Sequence, residues 1–229
     1  MSNQRTHGET HGAERGLSRF EGFSDAVFAI ALTLLIVEIK VPGSPEGPHG
    51  YSSLAMAMAE QWREHLALVL CYGVIGAYWL QHHYSGRIYA RSDHWFGAIN
   101  LLFLLAILVV PYPIRIWCFH LGTEFERTAA VTLAAGLALT ACTWMAKWLY
   151  GLSGRRVMDE RLAPDFLRQM TRRYGVATLI QIAAVPLAIV APPIGVAIGL
   201  LCVAFFLLPQ PRPRYIPGQE PNEEETSSG

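Results

Sequence analysis

Long apolar runs separated by polar segments dominate this chain, and six runs approach the length of a membrane-spanning helix. They cover residues 20–41, 65–83, 96–117, 128–150, 174–191 and 194–208. A helix needs about 20 apolar residues to cross the hydrocarbon core, because it rises about 1.5 Å per residue. The last two runs are short, and only the Pro192-Pro193 turn separates them. The pattern predicts an all-α, polytopic membrane protein with six transmembrane helices per subunit.

Polar segments delimit this membrane domain, which we place at residues 19–208. Residues 1–18 and 209–229 lack long apolar runs, and we expect them to be disordered tails. The segment 151–173 differs, because Leu162, Phe166, Leu167 and Met170 recur at helical spacing with arginines between them. This spacing predicts an amphipathic helix lying on the membrane surface.

The charges give the class of protein and its orientation. The chain is 52% hydrophobic and 16% charged, with 18 basic and 18 acidic residues, so no net charge points to nucleic acid. With six spans, thirteen lysines and arginines fall on the side of the two termini and four on the other side. Lys147, near the inner end of the fourth helix, belongs to neither group. The positive-inside rule then predicts a multi-pass protein of the cell membrane with both termini in the cytoplasm.

One stripe of the first helix is apolar apart from a single hydroxyl. Ile30, Thr33, Leu34 and Val37 fall on the same face at about 100° per residue. Ordinary helix packing explains such a stripe, and Thr33 then bonds back to the carbonyl of Ala29. Alternatively the stripe lines a pore, where symmetry copies form apolar rings that gate by dewetting.

Polar residues cluster at the cytoplasmic end of the same helix. An aspartate inside a membrane helix is costly and marks either an ion path or a polar network between helices. The topology brings several polar or aromatic residues to the depth of Ser24 and Asp25. These are Arg19, Trp79, His82, His83, Asp93 and Asn100. We expect an inter-helix polar network in preference to a direct ion site.

These residues resemble the signature of the transmembrane protein 175 family, the lysosomal potassium channel and its bacterial relatives. The resemblance starts at Arg19 and Phe23-Ser24-Asp25 and continues through the run 26–35. Further matching segments follow in the same order. They are residues 78–83, Asp93, residues 100–104 and residues 111–113. The resemblance covers residues 19–117 well and the remainder only in the number of spans.

The resemblance implies a homotetramer whose first helix lines a central pore, because the chain carries one six-helix unit. It implies that Ile30 forms the hydrophobic constriction, that Leu34 and Val37 form further rings, and that Thr33 influences selectivity. Val37 replaces a larger leucine, which implies a wider outer ring. It also implies that the residues of the polar network, with Phe23, hold the helices together.

The function that these expectations favour is a potassium-permeable cation channel whose partners are potassium ions and the lipid bilayer. No Thr-Val-Gly-Tyr-Gly filter is present, so we expect modest discrimination at a narrow neck. A secondary transporter or proton-conducting carrier that uses Asp25 and neighbouring histidines stays open. An enzyme with His82, His83 and Asp93 as metal ligands is disfavoured, because adjacent histidines point to different helix faces. We predict no catalytic residues, cofactor or metal.

Overall fold

The computed structural model describes residues 3–42, 53–155 and 157–221, with the backbone alone for residues 3–17. Eight α-helices account for most of these residues. They are α1 (Asn3–Leu34), α2 (Leu54–Glu60), α3 (Trp62–Ser85), α4 (His94–Val109), α5 (Pro111–His120), α6 (Glu126–Leu152), α7 (Pro164–Val190) and α8 (Pro192–Ala204). Short 3₁₀ turns follow α1, α6 and α8. Within the described ranges, extended pairing is confined to two isolated bridges.

Prolines and one aspartate fix where several helices begin. The carboxylate of Asp93 accepts a hydrogen bond from the backbone N–H of Phe96 at 2.8 Å and caps α4. Pro111, Pro164 and Pro192 open α5, α7 and α8. A proline suits the first turn of a helix because its missing N–H would have no partner there.

Helix α6 lies at the centre of the bundle and α1 lies at its edge. Helix α6 packs against α4, α5, α7 and α8, whereas α1 packs against α3 and α4. In the most apolar window of each span, 50% of α6 residues are buried but only 17% of α1 residues. One subunit therefore leaves most of its first span without a protein partner.

Helices occupy all six predicted apolar segments, although the spans differ in length and hydropathy. Four are long and apolar enough to cross a membrane by length and composition. They are Ser18–Glu38, His94–His120, Glu126–Arg155 and Pro164–Val190. The third of these four corresponds to α6 and its 3₁₀ turn, and the second combines α4 and α5. The remaining two segments are α3, which carries several polar residues, and the shorter apolar helix Pro192–Leu207.

The predicted surface helix at residues 151–173 is wrong. Helix α6 continues to Leu152, residues 157–163 form an irregular link, and α7 begins at Pro164 and runs without interruption into the fifth span. The apolar side chains that suggested a lipid-facing stripe are buried in the protein. They are Leu162, Phe166, Leu167 and Met170. Helical spacing of apolar residues shows that a face is buried, but it does not distinguish lipid from protein as the partner.

The structure describes part of each tail, and disorder of the tails stays a prediction. The backbone is helical from Asn3, because a helix that has formed in the membrane extends at low cost into polar sequence. In the C-terminal segment, the N–H of Ala163 donates to the carbonyl of Arg214, and the N–H of Ile216 donates to that of Arg161. The hydroxyl of Tyr84 donates to the carbonyl of Pro211 at 2.6 Å. This segment therefore packs on the bundle, while residues 1–2 and 222–229 lie outside the described residues.

Candidate functional site

A chain of buried polar side chains joins α1 to three other helices. Asn100 of α4 donates from Nδ2 to the hydroxyl of Ser24 on α1 at 3.0 Å. Lys147 of α6 donates from Nζ to Oδ1 of Asn100 at 3.0 Å, and it lies 3.2 Å from Nδ1 of His82 on α3. All four side chains are buried. Four helices thus meet through one connected set of hydrogen bonds.

The hydrogen bonds assign a role to each atom of this set. Nζ of Lys147 donates to Asn100, and with Lys147 protonated it is a donor only, so that Nδ1 of His82 would accept from it and the proton of a neutral ring would lie on Nε2. His82 Nε2 is buried and has no hydrogen-bond partner among the described residues. The ring of His82 stacks on Phe28 of α1, with centroids 5.6 Å apart. His82 therefore holds α1 through its ring face as well as through the polar chain.

Aromatic side chains surround the amine of Lys147. Five rings have their centroids between 5.0 and 5.9 Å from Nζ, the range in which a ring face attracts a cation. They belong to Phe20, Tyr89, Phe96, Phe103 and Trp144. The Lys147 residue is only 1% exposed. The buried amine of Lys147 holds helices together, because its partners come from α1, α3, α4 and the segment after α3 as well as from its own helix.

Asp25 forms a separate contact one residue further along α1. Nε1 of Trp79 donates to its carboxylate at 3.1 Å, and the ring of Trp79 stacks on His83. Asp25 and Trp79 also line a groove of about 770 Å³ with Ala29 and Tyr72. Of the candidate partners that the sequence placed at its depth, Asp25 therefore contacts Trp79 rather than His82 or Asn100. Neighbouring positions on a helix point about 100° apart, so Ser24 faces the buried set and Asp25 faces α3.

The remaining predicted members lie outside the buried set. Asp93 caps α4 and accepts hydrogen bonds from the hydroxyl of Tyr150 at 2.8 and 2.9 Å. Arg19 and Phe23 are exposed and line a groove beside Asp93 and Leu101. No hydrogen bond among the described side chains connects Arg19 or Phe23 to the buried set.

Sequence reasoning missed Lys147 and Tyr150. Lys147 was set aside as a charge near a helix end, although it lies inside an apolar run of α6. A basic residue in such a run is costly unless it has partners, and this signal was present in the sequence. The role of Tyr150 had no comparable signal, because its partner depends on how α4 and α6 pack.

The stripe of α1 points away from the rest of the subunit. Ile30 and Leu34 are each 56% exposed, and Val37, which lies in the 3₁₀ turn after α1, is 73% exposed. The hydroxyl of Thr33 donates to the carbonyl of Ala29 at 2.8 Å, the back-bonding that its sequence context allowed. The opposite face of α1 carries Phe28, which is fully buried. An apolar face without a partner in its own subunit is free to meet lipid, other subunits or a pore.

Metal ligation finds no support in the described part of the chain. There, no group of three histidine, cysteine, aspartate or glutamate side chains is placed to hold a metal ion. His82 is bonded to Lys147, His83 stacks on Trp79, and Asp93 caps a helix.

Comparison with known proteins gives consistent matches. The family model described as "Endosomal/lysosomal potassium channel TMEM175" matches residues 19–111. A protein of Streptomyces collinus named as a potassium channel is 33% identical over 189 residues, which cover 82% of this chain and 90% of that protein. A second potassium channel, from Chamaesiphon minutus, is 28% identical over 193 residues, covering 83% and 93%.

Solved structures agree with these matches. The crystal structure described as that of a lysosomal potassium-selective channel TMEM175 homolog from Chamaesiphon minutus superposes with a TM-score of 0.70. The two sequences are 27% identical, and the superposition covers 83% of this chain and 96% of the other.

Proposed function

Because this chain belongs to the TMEM175 family and is a potassium-permeable membrane channel, we propose that the exposed stripe of α1 lines its pore. The observation that carries the proposal is the contrast between the two faces of α1. One face is fixed to α3 and α4 by buried contacts, and the other presents Ile30 and Leu34, with Val37 in the following 3₁₀ turn, largely exposed in the single subunit.

A homotetramer would close this face around a central axis. Each subunit would contribute one residue to every ring, with Ile30 as the constriction and Leu34 and Val37 toward the outer end. Helix α4 also exposes a row of leucines, and Leu34 and Leu108 line the same groove of about 520 Å³. Neighbouring subunits would bury these leucines against each other and bring the α1 helices together.

The constriction would work through the cost of removing water from ions. A narrow apolar neck expels water and ions unless it widens, and potassium loses its hydration more readily than sodium does. Because the hydroxyl of Thr33 donates its hydrogen to the carbonyl of Ala29, both lone pairs of its oxygen stay available to an ion or a water molecule. Thr33 would thus be the polar ring between two apolar rings.

The buried polar set would fix the inner end of the pore helix. Ser24 lies six residues before Ile30, or about 9 Å along the helix axis. The hydrogen bonds through Asn100, Lys147 and His82 would therefore set the position of the ring without touching the ion. Asp25 and Trp79 add a second attachment on the α3 side.

Six spans and cytoplasmic termini complete the proposed topology in the cell membrane. Helices α3 and α8 would be the two spans that length and hydropathy alone do not identify. Helix α3 is less apolar because it buries polar residues among other helices, and α8 is short. The bundle end that carries Arg87, Arg91 and Arg161 would face the cytoplasm under the positive-inside rule.

Ion flux in proteoliposomes tests the pore assignment. We expect Ile30→Asn to raise potassium flux and to weaken the preference for potassium over sodium, because an amide wets the neck. Ile182→Asn is the matched control, since it makes the same change on an exposed face of α7. Equal effects of the two substitutions would remove Ile30 from the constriction. Saturating flux that requires a proton gradient would instead favour a carrier that uses Asp25 and His82.

A further inference from the structure

A groove between α7 and α8 has the polarity of an amphiphile and lies apart from the α1 face. Its volume is about 680 Å³, within the size range of small-molecule sites. Arg172 and Arg173 line one end, and Val176 and Ile180 continue along the same side of α7. Helix α8 and its final turn supply the facing wall, including Leu201 and Phe205. The lining therefore changes from cationic to apolar within about three helical turns.

Arg173 is held at the groove rather than extended into solvent. Its guanidinium lies over the ring of Phe205, 4.8 Å from the centroid. Its Nε is buried and has no hydrogen-bond partner among the described residues. A buried guanidinium donor without an acceptor is costly, and a phosphate oxygen is the acceptor that suits its geometry.

Other arginines at this end of the bundle have protein acceptors. Arg91 bonds to Glu160, Arg161 to Asp159, and Arg214 to Asp165. In the described ranges, no carboxylate makes a comparable contact with Arg172 or Arg173. These two arginines thus supply positive charge that the described protein leaves uncompensated.

Arg172 also lines a second, smaller groove of about 440 Å³ that Arg155 and Arg168 border. Arg172 therefore borders both grooves. Arg168 and Arg172 are four residues apart and lie on the same face of the helix. Arg155 and Arg168 thus add positive charge in the neighbouring groove, next to the α7–α8 groove.

We propose that the α7–α8 groove binds one anionic phospholipid, with its phosphate on Arg172 and Arg173 and an acyl chain along Val176 and Ile180. A phospholipid matches both parts of the groove: its phosphate is an anion for the two arginines, and its acyl chain is apolar like the rest of the lining. A second copy of the chain would cover the apolar wall without providing the anion. Free phosphate would fill the mouth and leave the apolar wall exposed.

Native mass spectrometry of the full-length protein with phosphatidylglycerol or phosphatidylcholine tests the proposal. We expect tight binding of one phosphatidylglycerol per subunit and little binding of phosphatidylcholine. Arg172→Gln/Arg173→Gln should weaken the phosphatidylglycerol affinity about tenfold to thirtyfold, because each basic residue near an anionic lipid contributes about one factor of five. The control Arg87→Gln/Arg212→Gln removes the same charge from exposed positions at the same end and should keep the lipid.

Filling the apolar part separates a lipid from other occupants. Val176→Trp keeps both arginines but occupies the path of the acyl chain, and it should also abolish binding of phosphatidylglycerol. Unchanged affinity in this variant, or displacement of the lipid by millimolar inorganic phosphate, would show that the mouth binds only an anion and would overturn the proposal. The proposal would also be overturned if Arg172→Gln/Arg173→Gln and Arg87→Gln/Arg212→Gln reduced the affinity for phosphatidylglycerol equally. Crosslinks that place a second copy of the chain in the groove would overturn it too.

A measurement on the unmodified protein needs no substitution. Cys202 lines the groove, whereas Cys142 of α6 does not. In detergent micelles supplemented with phosphatidylglycerol, alkylation of Cys202 by N-ethylmaleimide should be at least several times slower than in micelles supplemented with phosphatidylcholine, with Cys142 unchanged in peptide maps. Equal rates at Cys202 in the two lipids would contradict the proposal, even if the variants misfold.

Discussion

Removing the acceptor of Lys147 should destabilise the protein more than removing the lysine itself. Asn100→Leu deletes the Oδ1 that accepts from Nζ at 3.0 Å and the Nδ2 that donates to Ser24 at 3.0 Å. The amine then stays buried with His82 as its remaining polar acceptor among the described residues. Loss of a buried bond to a charged group costs about 1.5–3 kcal/mol, and a neutral bond between membrane helices averages about 0.6 kcal/mol. The free energy of unfolding should fall by about 2–4 kcal/mol.

Lys147→Met should be milder, because it removes the costly buried amine together with its bonds. The substitution leaves Oδ1 of Asn100 and Nδ1 of His82 without a donor, which costs about 1 kcal/mol if each lost bond has the average value for hydrogen bonds between membrane helices. It also removes part of the cost of keeping the amine of Lys147 away from water. In the Lys147→Met background, Asn100→Leu loses only the bond to Ser24, worth about 0.6 kcal/mol. The double-mutant cycle should therefore show a coupling of about 1.5–3 kcal/mol between Asn100 and Lys147.

The assay is reversible unfolding in mixed micelles by titration with sodium dodecyl sulfate, followed by far-ultraviolet circular dichroism. Gln181→Leu is the matched control, because Gln181 is a buried amide whose Nε2 donates to the carbonyl of Gly199 at 3.0 Å. Its effect should add to that of Lys147→Met within about 0.5 kcal/mol. If the effects of Asn100→Leu and Lys147→Met on the free energy of unfolding also add within about 0.5 kcal/mol, the buried set is not a coupled network and the reasoning fails.

Three further substitutions, one of them with a control, test other parts of the structure. Asp25→Ala should lower the yield of the assembled oligomer in size-exclusion chromatography more than it lowers flux per assembled channel, and normal assembly with lost flux would indicate an ion site instead. Gly195→Ala should destabilise the α7–α8 hairpin by about 1–3 kcal/mol, because its Cβ would lie 2.5 Å from the backbone nitrogen of Ala188. Gly76→Ala, where the Cβ meets nothing within 4 Å, should leave the melting temperature almost unchanged. Val37→Leu should reduce potassium flux by narrowing the outer ring, and unchanged flux would place Val37 outside the pore.

The helices could be predicted because the length of each apolar run can be counted in the sequence. Each of the six apolar segments became helical, and Thr33 bonds to Ala29 as its position in a helix allows. Their surroundings were harder to predict. Phe166 and Met170 have the spacing of a lipid-facing stripe, yet they are buried in protein, because water avoidance is common to both environments.

The polar network was predictable in its location but not in its bonds. Membrane depth alone brought Ser24, Asn100 and His82 to the same level. The direction in which each side chain points depends on helix rotation, which separated Asp25 from this set and left Arg19 outside it. Lys147 completes the set from α6. Its place in an apolar run shows that it needs partners, but only the folded structure shows that those partners are Asn100 and His82.

The two faces of α1 give the helix two separable tasks. Ser24 and Phe28 bind it to its own subunit, whereas Ile30 and Leu34 lie free of that subunit on the opposite face. Since Ser24 and Leu34 are about 15 Å apart along the axis, a change in the buried set would reach the proposed rings as a tilt or rotation of the whole helix. Under the proposed pore assignment, substitutions in the buried set should therefore alter assembly and the position of the constriction together, whereas substitutions in the stripe should alter conduction at constant stability.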